Sequence, residues 1–248
     1  MNKVQTVICM RWGNWPVEDV NILFRSVCRN TERPTRFIVL TDDASSLDDG
    51  IETRPLPTIP FWNQTGMYGG PGWNKLALWA KEIGITGEVL YLDLDVVITG
   101  NIDAFFDFHP GEFCIIRNWT EKFSKIGNSS IMKFVAGSAP YIVDKFAEDP
   151  IRYSHDFVNE QIFVTKNHKG PIYFWPKEWC PSFKKNLLPP FPIRLWKEAP
   201  LPAEARMVVF TGEPRPRNAA LGKWPAKPGR SQFTRRLTPV TWLKKSGW

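Results

Sequence analysis

The chain has 248 residues, of which 43% are hydrophobic and 23% charged, and its formal net charge is +7. This length suits one substantial α/β core, and the composition excludes wholesale disorder. No run of about 18 apolar residues occurs, the residues MNKVQTVICM contain no long apolar h-region, and the four cysteines are widely spaced without a C-x-x-C pair. We therefore expect a cytoplasmic protein with neither a zinc site nor a disulfide framework.

The N-terminal part predicts alternating strands and a helix. Val4 to Met10 is rich in Val and Ile and predicts a buried parallel strand, and Val17 to Asn30 carries apolar residues at helical spacing. Phe37 to Leu40 predicts a second strand, which ends at Thr41-Asp42-Asp43. On position alone, Asp42 fits an ordinary N-cap or turn.

A glycine-rich loop, Gly66 to Gly72, leads into the next predicted helix, Trp73 to Ile83. The loop permits close approach to a ligand, but its spacing matches neither a dinucleotide fingerprint nor a P-loop. Lys75 lies near the predicted start of the helix, where a basic residue opposes the helix dipole. An anionic ligand at that end is one interpretation, and a solvated lysine is the other.

The most informative stretch runs from Gly87 to Asp103. Within it, Val89 to Ile98 predicts one buried central strand that is interrupted only by Asp93 and Asp95. Side chains two apart on a strand share a face, so burial of these carboxylates would be costly without a cation. Mg²⁺ or Mn²⁺ would suit them, at the strand end where open α/β sheets bind ligands. An acidic turn after a strand is the alternative.

Three segments together resemble a known family: Lys75 to Trp79, Asp93-Leu94-Asp95 and Asn101-Ile102-Asp103. They are similar to the core of GT-A glycosyltransferases, and within that fold to glycosyltransferase family 8 and glycogenin-like enzymes. The resemblance implies an α/β fold with a single Rossmann-like GT-A domain over residues 1–248, whose mostly parallel central sheet is flanked by helices. Residues 1–164 would form the nucleotide-sugar-binding core, and residues 165–248 a loop-rich basic part that completes the site.

The resemblance also implies roles for individual residues. Asp93 and Asp95 would hold Mn²⁺ or Mg²⁺, which bridges the diphosphate of a nucleotide sugar such as a UDP-sugar, and Asp93 would also contact the donor. Asp42 would lie near the base and ribose of the nucleotide. Lys75 would reach the phosphates or the sugar of the donor.

Further sugar-binding residues are implied downstream. Phe113 to Arg117 predicts a strand, and Asn128 to Phe134 a polar turn that feeds another. The family has Asn-Ser-Gly at this turn, where the amide and the hydroxyl bind the donor sugar. Asn128 and Ser129 match that pattern, whereas Ser130 replaces the glycine and puts the close backbone approach in doubt.

Glu160 and Gln161 fall where relatives carry Asp-Gln near the reacting face of the sugar. Glycosyl transfer passes through an oxocarbenium-like centre, so a carboxylate and an amide facing it are chemically sensible. We therefore expect these two residues to be catalytic. A solvated helix start is the alternative.

Met207 to Arg217 resembles a late strand and loop of the family, in which a His supplies the third metal ligand and a Lys before Pro binds phosphate. Val209 and Thr211 occupy the equivalent positions of the His, and no His follows His168. Arg215 is suited to replace the Lys, because its planar guanidinium offers several donors to phosphate.

Charge is concentrated at the C-terminal end. From Thr165 onward there are 17 Lys and Arg against 4 Asp and Glu, a net +13. The tract from Arg215 to Lys245 mixes these charges with aromatic residues, which suits peripheral contact with an anionic membrane. A solvated surface is the alternative, and nucleic acid is not expected because no recognition motif occurs.

The sequence thus predicts a cytoplasmic glycosyltransferase that moves a sugar from a UDP-sugar to a glycan or lipid-linked acceptor, with retention implied by the resemblance. The alternative is a non-catalytic GT-A-like module that binds nucleotide or glycan, which the missing His and the changed Gly favour. The paired aspartates argue against the module, because buried carboxylates without a cation are costly.

Overall fold

A computed structural model describes residues 4–120, 124–225 and 235–248. Its strands are β1 (Gln5–Arg11), β2 (Thr35–Thr41), β3 (Ile51–Arg54), β4 (Glu88–Leu92), β5 (Val96–Ile98), β6 (Phe113–Arg117), β7 (Gly127–Val135), β8 (Ile172–Phe174) and β9 (Met207–Val209). Its α-helices are α1 (Val17–Arg29), α2 (Asp103–Asp107), α3 (Tyr141–Glu148), α4 (Pro150–Phe157), α5 (Glu160–Asn167), α6 (Pro216–Ala220) and α7 (Thr241–Lys245). Gly70–Trp79 and Ile193–Leu195 are 3₁₀-helices, and Phe183–Leu187 is a π-helical turn.

The main sheet has seven strands in the order β3-β2-β1-β4-β7-β6-β8. Strand β1 runs parallel to β2 and β4, β2 runs parallel to β3, and β6 runs parallel to β8. Strand β7 is antiparallel to both of its neighbours, β4 and β6. The mostly parallel α/β sheet with flanking helices, predicted from the sequence, is confirmed.

Both faces of this sheet are buried, as expected for parallel strands. Along β1, Ile8 and Met10 face a core shared with the long 3₁₀-helix, α3 and α5, whereas Val7 and Cys9 face a core shared with α1. A third core forms around a small antiparallel sheet of β5 and β9, and α7 contributes Leu243 to it.

The prediction of one central strand from Val89 to Ile98 is wrong. The chain turns after β4: the N–H of Asp93 donates to the carbonyl of Ser130 over 2.9 Å, and the N–H of Val96 donates to the carbonyl of Asp93 over 3.2 Å. Asp93 and Asp95 therefore lie in a turn between two sheets rather than on one face of a strand. A continuous apolar run does not distinguish one buried strand from two short ones.

Two other predicted elements differ from the structure. The segment expected as a helix from Trp73 to Ile83 is a 3₁₀-helix that ends at Trp79, because Ala80 is extended. Trp73, Leu76 and Trp79 are buried three residues apart, and this spacing matches a 3₁₀-helix, in which residues i and i+3 eclipse, better than an α-helix. The polar turn expected at Asn128 is instead the start of strand β7.

None of the helices in the described part of the chain combines the length and the apolar character needed to cross a bilayer.

Candidate functional site

Two adjoining cavities open at the carboxyl ends of β1, β2 and β4, where parallel sheets bind their ligands. They share Trp12 and Trp15, and their volumes are about 520 and 210 Å³. The larger cavity is lined by Trp12, Gly13, Asn14, Trp15, Asp42, Trp62, Asn63, Pro71 and Arg215. The smaller cavity is lined by Met10, Trp12, Trp15, Gly72, Lys75, Tyr91, Asp93, Leu94, Asp95 and Glu160.

Lys75 and Asp93 form an ion pair in the wall of the smaller cavity. The ammonium lies 2.7 Å from Oδ1 and 2.8 Å from Oδ2 of Asp93, and the hydroxyl of Tyr91 donates to Oδ1 over 2.6 Å. The Lys75 side chain is only 12% exposed. Burial disfavours its charge, but Asp93 and Glu160 outweigh that cost, so the pKa of Lys75 is raised and the ammonium stays charged.

A second group of predicted residues meets this ion pair. The ammonium of Lys75 donates to Oγ of Ser129 over 3.3 Å and lies 3.8 Å from Oε1 of Glu160, which also accepts a hydrogen bond from the hydroxyl of Ser129. Oε1 of Gln161 accepts from the side chain of Asn128 over 3.1 Å and from the N–H of Ser129 over 3.3 Å. Strand β7 and the first turn of α5 thus bring Ser129 and Glu160 to Lys75, and Asn128 and Gln161 bond to each other beside them.

Asp95 is the least compensated charge in the site. Its pKa is raised to about 8, because the carboxyl is buried and stands beside the negative charge of Asp93; Lys75 and Arg215 only partly oppose the rise. A carboxylate with such a pKa favours a proton or a cation at neutral pH. This is the electrostatic property that the sequence pattern predicted, although it arises in a turn.

Asp42 and Arg215 lie at the margin of the site rather than in the cluster. Both line the larger cavity, where Asp42 is exposed at the end of β2. The guanidinium of Arg215 lies 4.1 Å from the ring centroid of Trp15, a distance typical of a cation–π contact. The cavity therefore has an acidic side, a basic side and indole walls.

Sequence reasoning assigns no site role to Tyr91, Trp62 or Lys184. Trp12 and Trp15, by contrast, follow the carboxyl end of the first strand, a position that faces the ligand in sheets of this kind. Tyr91 precedes Asp93 by two residues in a buried strand, and this position indicates that its hydroxyl lies near the site. The ammonium of Lys184 donates to the carbonyls of Thr211 and Glu213, the latter over 3.1 Å. No sequence signal pointed to Lys184, because it reaches this loop from a separate π-helical turn.

The donor set offers two carboxylates to the divalent cation that the sequence resemblance implies. Tyr91 and Lys75 occupy three of about four acceptor positions of Asp93, which leaves one for a metal, and Asp95 carries the uncompensated charge. Within residues 4–120, 124–225 and 235–248, no three His, Cys, Asp or Glu side chains come together as a metal-binding group. Phosphate oxygens and water would have to complete the shell.

We expect Thr211→His to tighten Mn²⁺ binding and Val209→His to destabilise the fold. Thr211 is partly exposed and follows Phe210, whose N–H donates to the carbonyl of Asp95 over 3.2 Å, so an imidazole there has access to the aspartates. Val209 is fully buried opposite Val96 in the small sheet. Mn²⁺ titration in the presence of UDP, together with melting curves, checks both variants; no gain with Thr211→His would show that this loop does not face the metal.

Asp95→Asn is expected to raise the melting temperature of the ligand-free protein at alkaline pH. The pKa of Asp95 rises from 3.8 to about 8 on folding, so the folded protein binds the extra proton and stability falls as pH increases between these values. Asn carries no such charge. A gain of about 1–3 kcal/mol, or a few °C, should appear near pH 8.5 and shrink toward pH 4.5. Calorimetric melting without metal or nucleotide measures it, and a gain independent of pH contradicts the assignment.

No protein-family model and no curated protein matches this sequence, but solved structures do. The galactosyltransferase LgtC, solved with donor and acceptor sugar analogues, has a TM-score of 0.58 at 12% identity, and the match covers 86% of this chain and 89% of LgtC. The glycosyltransferase GlyE of Streptococcus pneumoniae TIGR4 has a TM-score of 0.58 at 14% identity, covering 86% of this chain and 56% of GlyE. The bifunctional glycosyltransferase WbbM has a TM-score of 0.56 at 13% identity, covering 88% of this chain and 47% of WbbM.

This chain therefore corresponds to most of LgtC but to only about half of GlyE and WbbM. All three are glycosyltransferases, and the shared architecture is the GT-A fold. At these identities the likeness establishes the fold and nothing finer.

Proposed function

We propose that this chain is a glycosyltransferase related to family 8, and that it moves a sugar from a UDP-sugar to a glycan or lipid-linked acceptor with retention of configuration. The observation that carries the proposal is the convergence of Lys75, Asp93 and Glu160 at one cavity, with Ser129 bonded to Lys75 and Glu160. Gln161 supports this group by accepting from the N–H of Ser129. An ion pair with a purely structural role would not need Ser129 and Glu160, from two separate elements, to meet at the ammonium of Lys75. Perturbed, interlinked charges in a cleft mark a functional site.

We place the nucleoside, the diphosphate and the sugar of the donor in the two cavities according to the side chains that line them. The nucleoside occupies the larger cavity, where Trp12, Trp15 and Trp62 provide faces for a base and Asp42 provides an acceptor for ribose hydroxyls. The diphosphate lies where the two cavities meet, between Arg215 and Lys75, because both cations pair well with phosphate oxygens. The sugar then enters the smaller cavity and faces Ser129, Glu160 and Gln161.

The residues of the chain stabilise charge that develops as the sugar–phosphate bond breaks. Lys75 and Arg215 hold positive charge near the departing diphosphate, and a Mn²⁺ or Mg²⁺ held by Asp93 and Asp95 would supply Lewis-acid stabilisation of the same group. The carboxylate of Glu160 faces the oxocarbenium-like centre, and Asn128 holds the Gln161 amide in a fixed orientation.

Glu160 acts electrostatically in this scheme rather than as a nucleophile. Its Oε1 accepts a hydrogen bond from Ser129 and lies 3.8 Å from the ammonium of Lys75, and both interactions lower the reactivity of that oxygen. Retention then follows from front-face displacement, in which the acceptor hydroxyl attacks on the side of the departing diphosphate and gives its proton to an oxygen of that leaving group. That route needs charge stabilisation at the sugar and no covalent intermediate.

A non-catalytic module that binds nucleotide or glycan is the second candidate, and the absent third metal ligand favours it. A turnover assay separates the two candidates. Purified protein is incubated with a panel of nucleoside-diphosphate sugars and Mn²⁺, and released nucleotide is measured against Glu160→Gln. We expect one donor to release UDP at a rate that falls at least about a hundredfold in the variant. Nucleotide binding without release from any donor would establish the module instead.

A further inference from the structure

A short apolar projection stands on the C-terminal part of the chain, from Pro190 to Lys197, and we call it the 190–197 turn. Its centre is the 3₁₀-helix Ile193–Leu195, and the carbonyl of Ile193 accepts hydrogen bonds from the N–H groups of Trp196 over 3.2 Å and Lys197 over 3.0 Å. Trp196 is 67% exposed, and Phe191 and Ile193 are each 40% exposed. Single exposed apolar residues are ordinary, but three within six positions of one turn form a patch.

Apolar and basic residues follow one another along the turn. Exposed Ile193 is followed by Arg194, and exposed Trp196 is followed by Lys197. The turn therefore offers apolar and basic side chains within a few residues of each other. This arrangement resembles the polar-and-apolar division of helices that lie in membrane interfaces.

Further cations gather around the turn. The guanidinium of Arg194 lies 5.5 Å from the ring centroid of Phe191 and 5.1 Å from that of Trp224, and Arg235 lies 5.4 Å from the same Trp224 ring. The backbone carbonyl of Arg236 accepts from Nε of Arg194 over 3.3 Å, which places Arg236 beside the turn. Burial and the charge of Arg235 both lower the pKa of Arg194, as expected where like charges crowd together.

The nearest acidic residue in the sequence, Glu198, bonds to another element. Glu198 is directed at the start of α7, where it accepts from the N–H of Thr241 over 2.6 Å and from its hydroxyl over 2.9 Å. Residues 165–248 as a whole carry a net charge of +13. The surface around the turn therefore suits an anionic partner that also accepts apolar side chains.

We propose that the 190–197 turn docks this protein onto an anionic lipid bilayer. Ile193 and Trp196 enter the headgroup region, where an indole finds both apolar and polar surroundings, and Lys197 and Arg236 contact lipid phosphates. A bilayer interface supplies lipid phosphates and an apolar interior side by side, which matches both halves of this arrangement. The inference is independent of the proposed transferase activity, since membrane binding is measured without turnover.

The sequence predicts membrane contact through the tract Arg215 to Lys245, of which residues 226–234 lie outside the described part of the chain, and Arg236 belongs to both surfaces. Three other residues of that tract, Leu237, Val240 and Leu243, are buried in the third core. Truncation of the tract would therefore remove core side chains, and point substitutions at exposed positions are the cleaner test.

Sedimentation of the full-length protein with vesicles tests the proposal. Vesicles of phosphatidylcholine with 30% phosphatidylglycerol are compared with pure phosphatidylcholine, at low and physiological salt. We expect binding to the anionic vesicles that weakens with salt, a roughly tenfold weaker affinity for Trp196→Ser, and a roughly thirtyfold weaker affinity for Lys197→Gln/Arg236→Gln, from about fivefold per charge. Circular dichroism and melting temperature confirm that each variant is folded.

Matched controls lie on other parts of the surface. Ile151 is 46% exposed on α4, so Ile151→Ser removes a comparable apolar side chain, and Lys81→Gln/Lys145→Gln removes two exposed charges elsewhere. Both controls should bind vesicles as the unmodified protein does. The proposal is overturned if the unmodified protein fails to sediment with anionic vesicles at low salt, if it binds neutral vesicles equally well, or if both 190–197 turn variants bind no more weakly than the controls.

Discussion

Asp95→Asn is expected to abolish sugar transfer and cation-dependent nucleotide binding while the protein remains folded. The substitution removes the least compensated charge of the site without changing the size of the side chain, so a divalent cation loses one of its two carboxylate ligands. Turnover should fall by about a thousandfold or more. Donor hydrolysis and Mn²⁺-dependent binding of UDP are the measurements.

The matched control for this variant is Asp43→Asn, which removes a carboxylate near the larger cavity but outside the cluster. Asp43 is an exposed residue whose pKa is lowered by hydrogen bonds from Ser45 and Arg11. Loss of its charge should leave cation dependence unchanged. Nucleotide affinity of Asp95→Asn that equals that of the unmodified protein in Mn²⁺ would show that Asp95 is not a metal ligand.

Lys75→Met is expected to reduce turnover by about a hundredfold to a thousandfold and to lower the melting temperature. The ammonium neutralises Asp93 and lies near Glu160, so its loss leaves two carboxylates and the nearby Asp95 without their closest cation. The same change removes a positive charge from the proposed diphosphate site. Steady-state kinetics with the identified donor and thermal melting measure the two effects.

Two further variants show whether the positive charge at residue 75 is sufficient, or whether the shape of the lysine is also needed: Lys75→Arg and, as a control, Lys81→Met. Arg keeps the positive charge and should retain part of the stability but little of the activity, because the guanidinium cannot reproduce the compact contacts to Asp93 and Ser129. Lys81 is exposed just after the same 3₁₀-helix, so its substitution should change neither quantity. If Lys75→Met turned over the donor at the normal rate, the ion pair with Asp93 would be purely structural.

Much of the fold could be predicted because the relevant signals are local. Strands β1, β2 and β6 and helix α1 were expected within a few residues of their observed bounds, since apolar runs and helical spacing coincide with burial. The grouping of Lys75 with Asp93 also followed from local motifs. Their resemblance to GT-A enzymes implies a ligand that both residues contact.

The remaining features depend on contacts between distant segments. The turn at Asp93 and Asp95 forms because β5 leaves the main sheet to pair with β9, more than a hundred residues further along the chain. Asn128 lies within a strand because β7 pairs with both β4 and β6. Lys184 and Trp62 reach this part of the molecule only through tertiary packing, which no local pattern encodes.

Calorimetric titration of the unmodified protein with nucleoside diphosphates and their sugars, with and without Mn²⁺, tests the central assignment most directly. If the two adjoining cavities bind a nucleoside-diphosphate sugar, we expect selective, saturable binding of one nucleotide, UDP, and tighter binding in Mn²⁺. Substitution of Trp12 by Ala should weaken binding of the nucleotide in both conditions. Absence of binding for every nucleotide tested, with and without Mn²⁺, would contradict the assignment of this cluster as a nucleotide-sugar site.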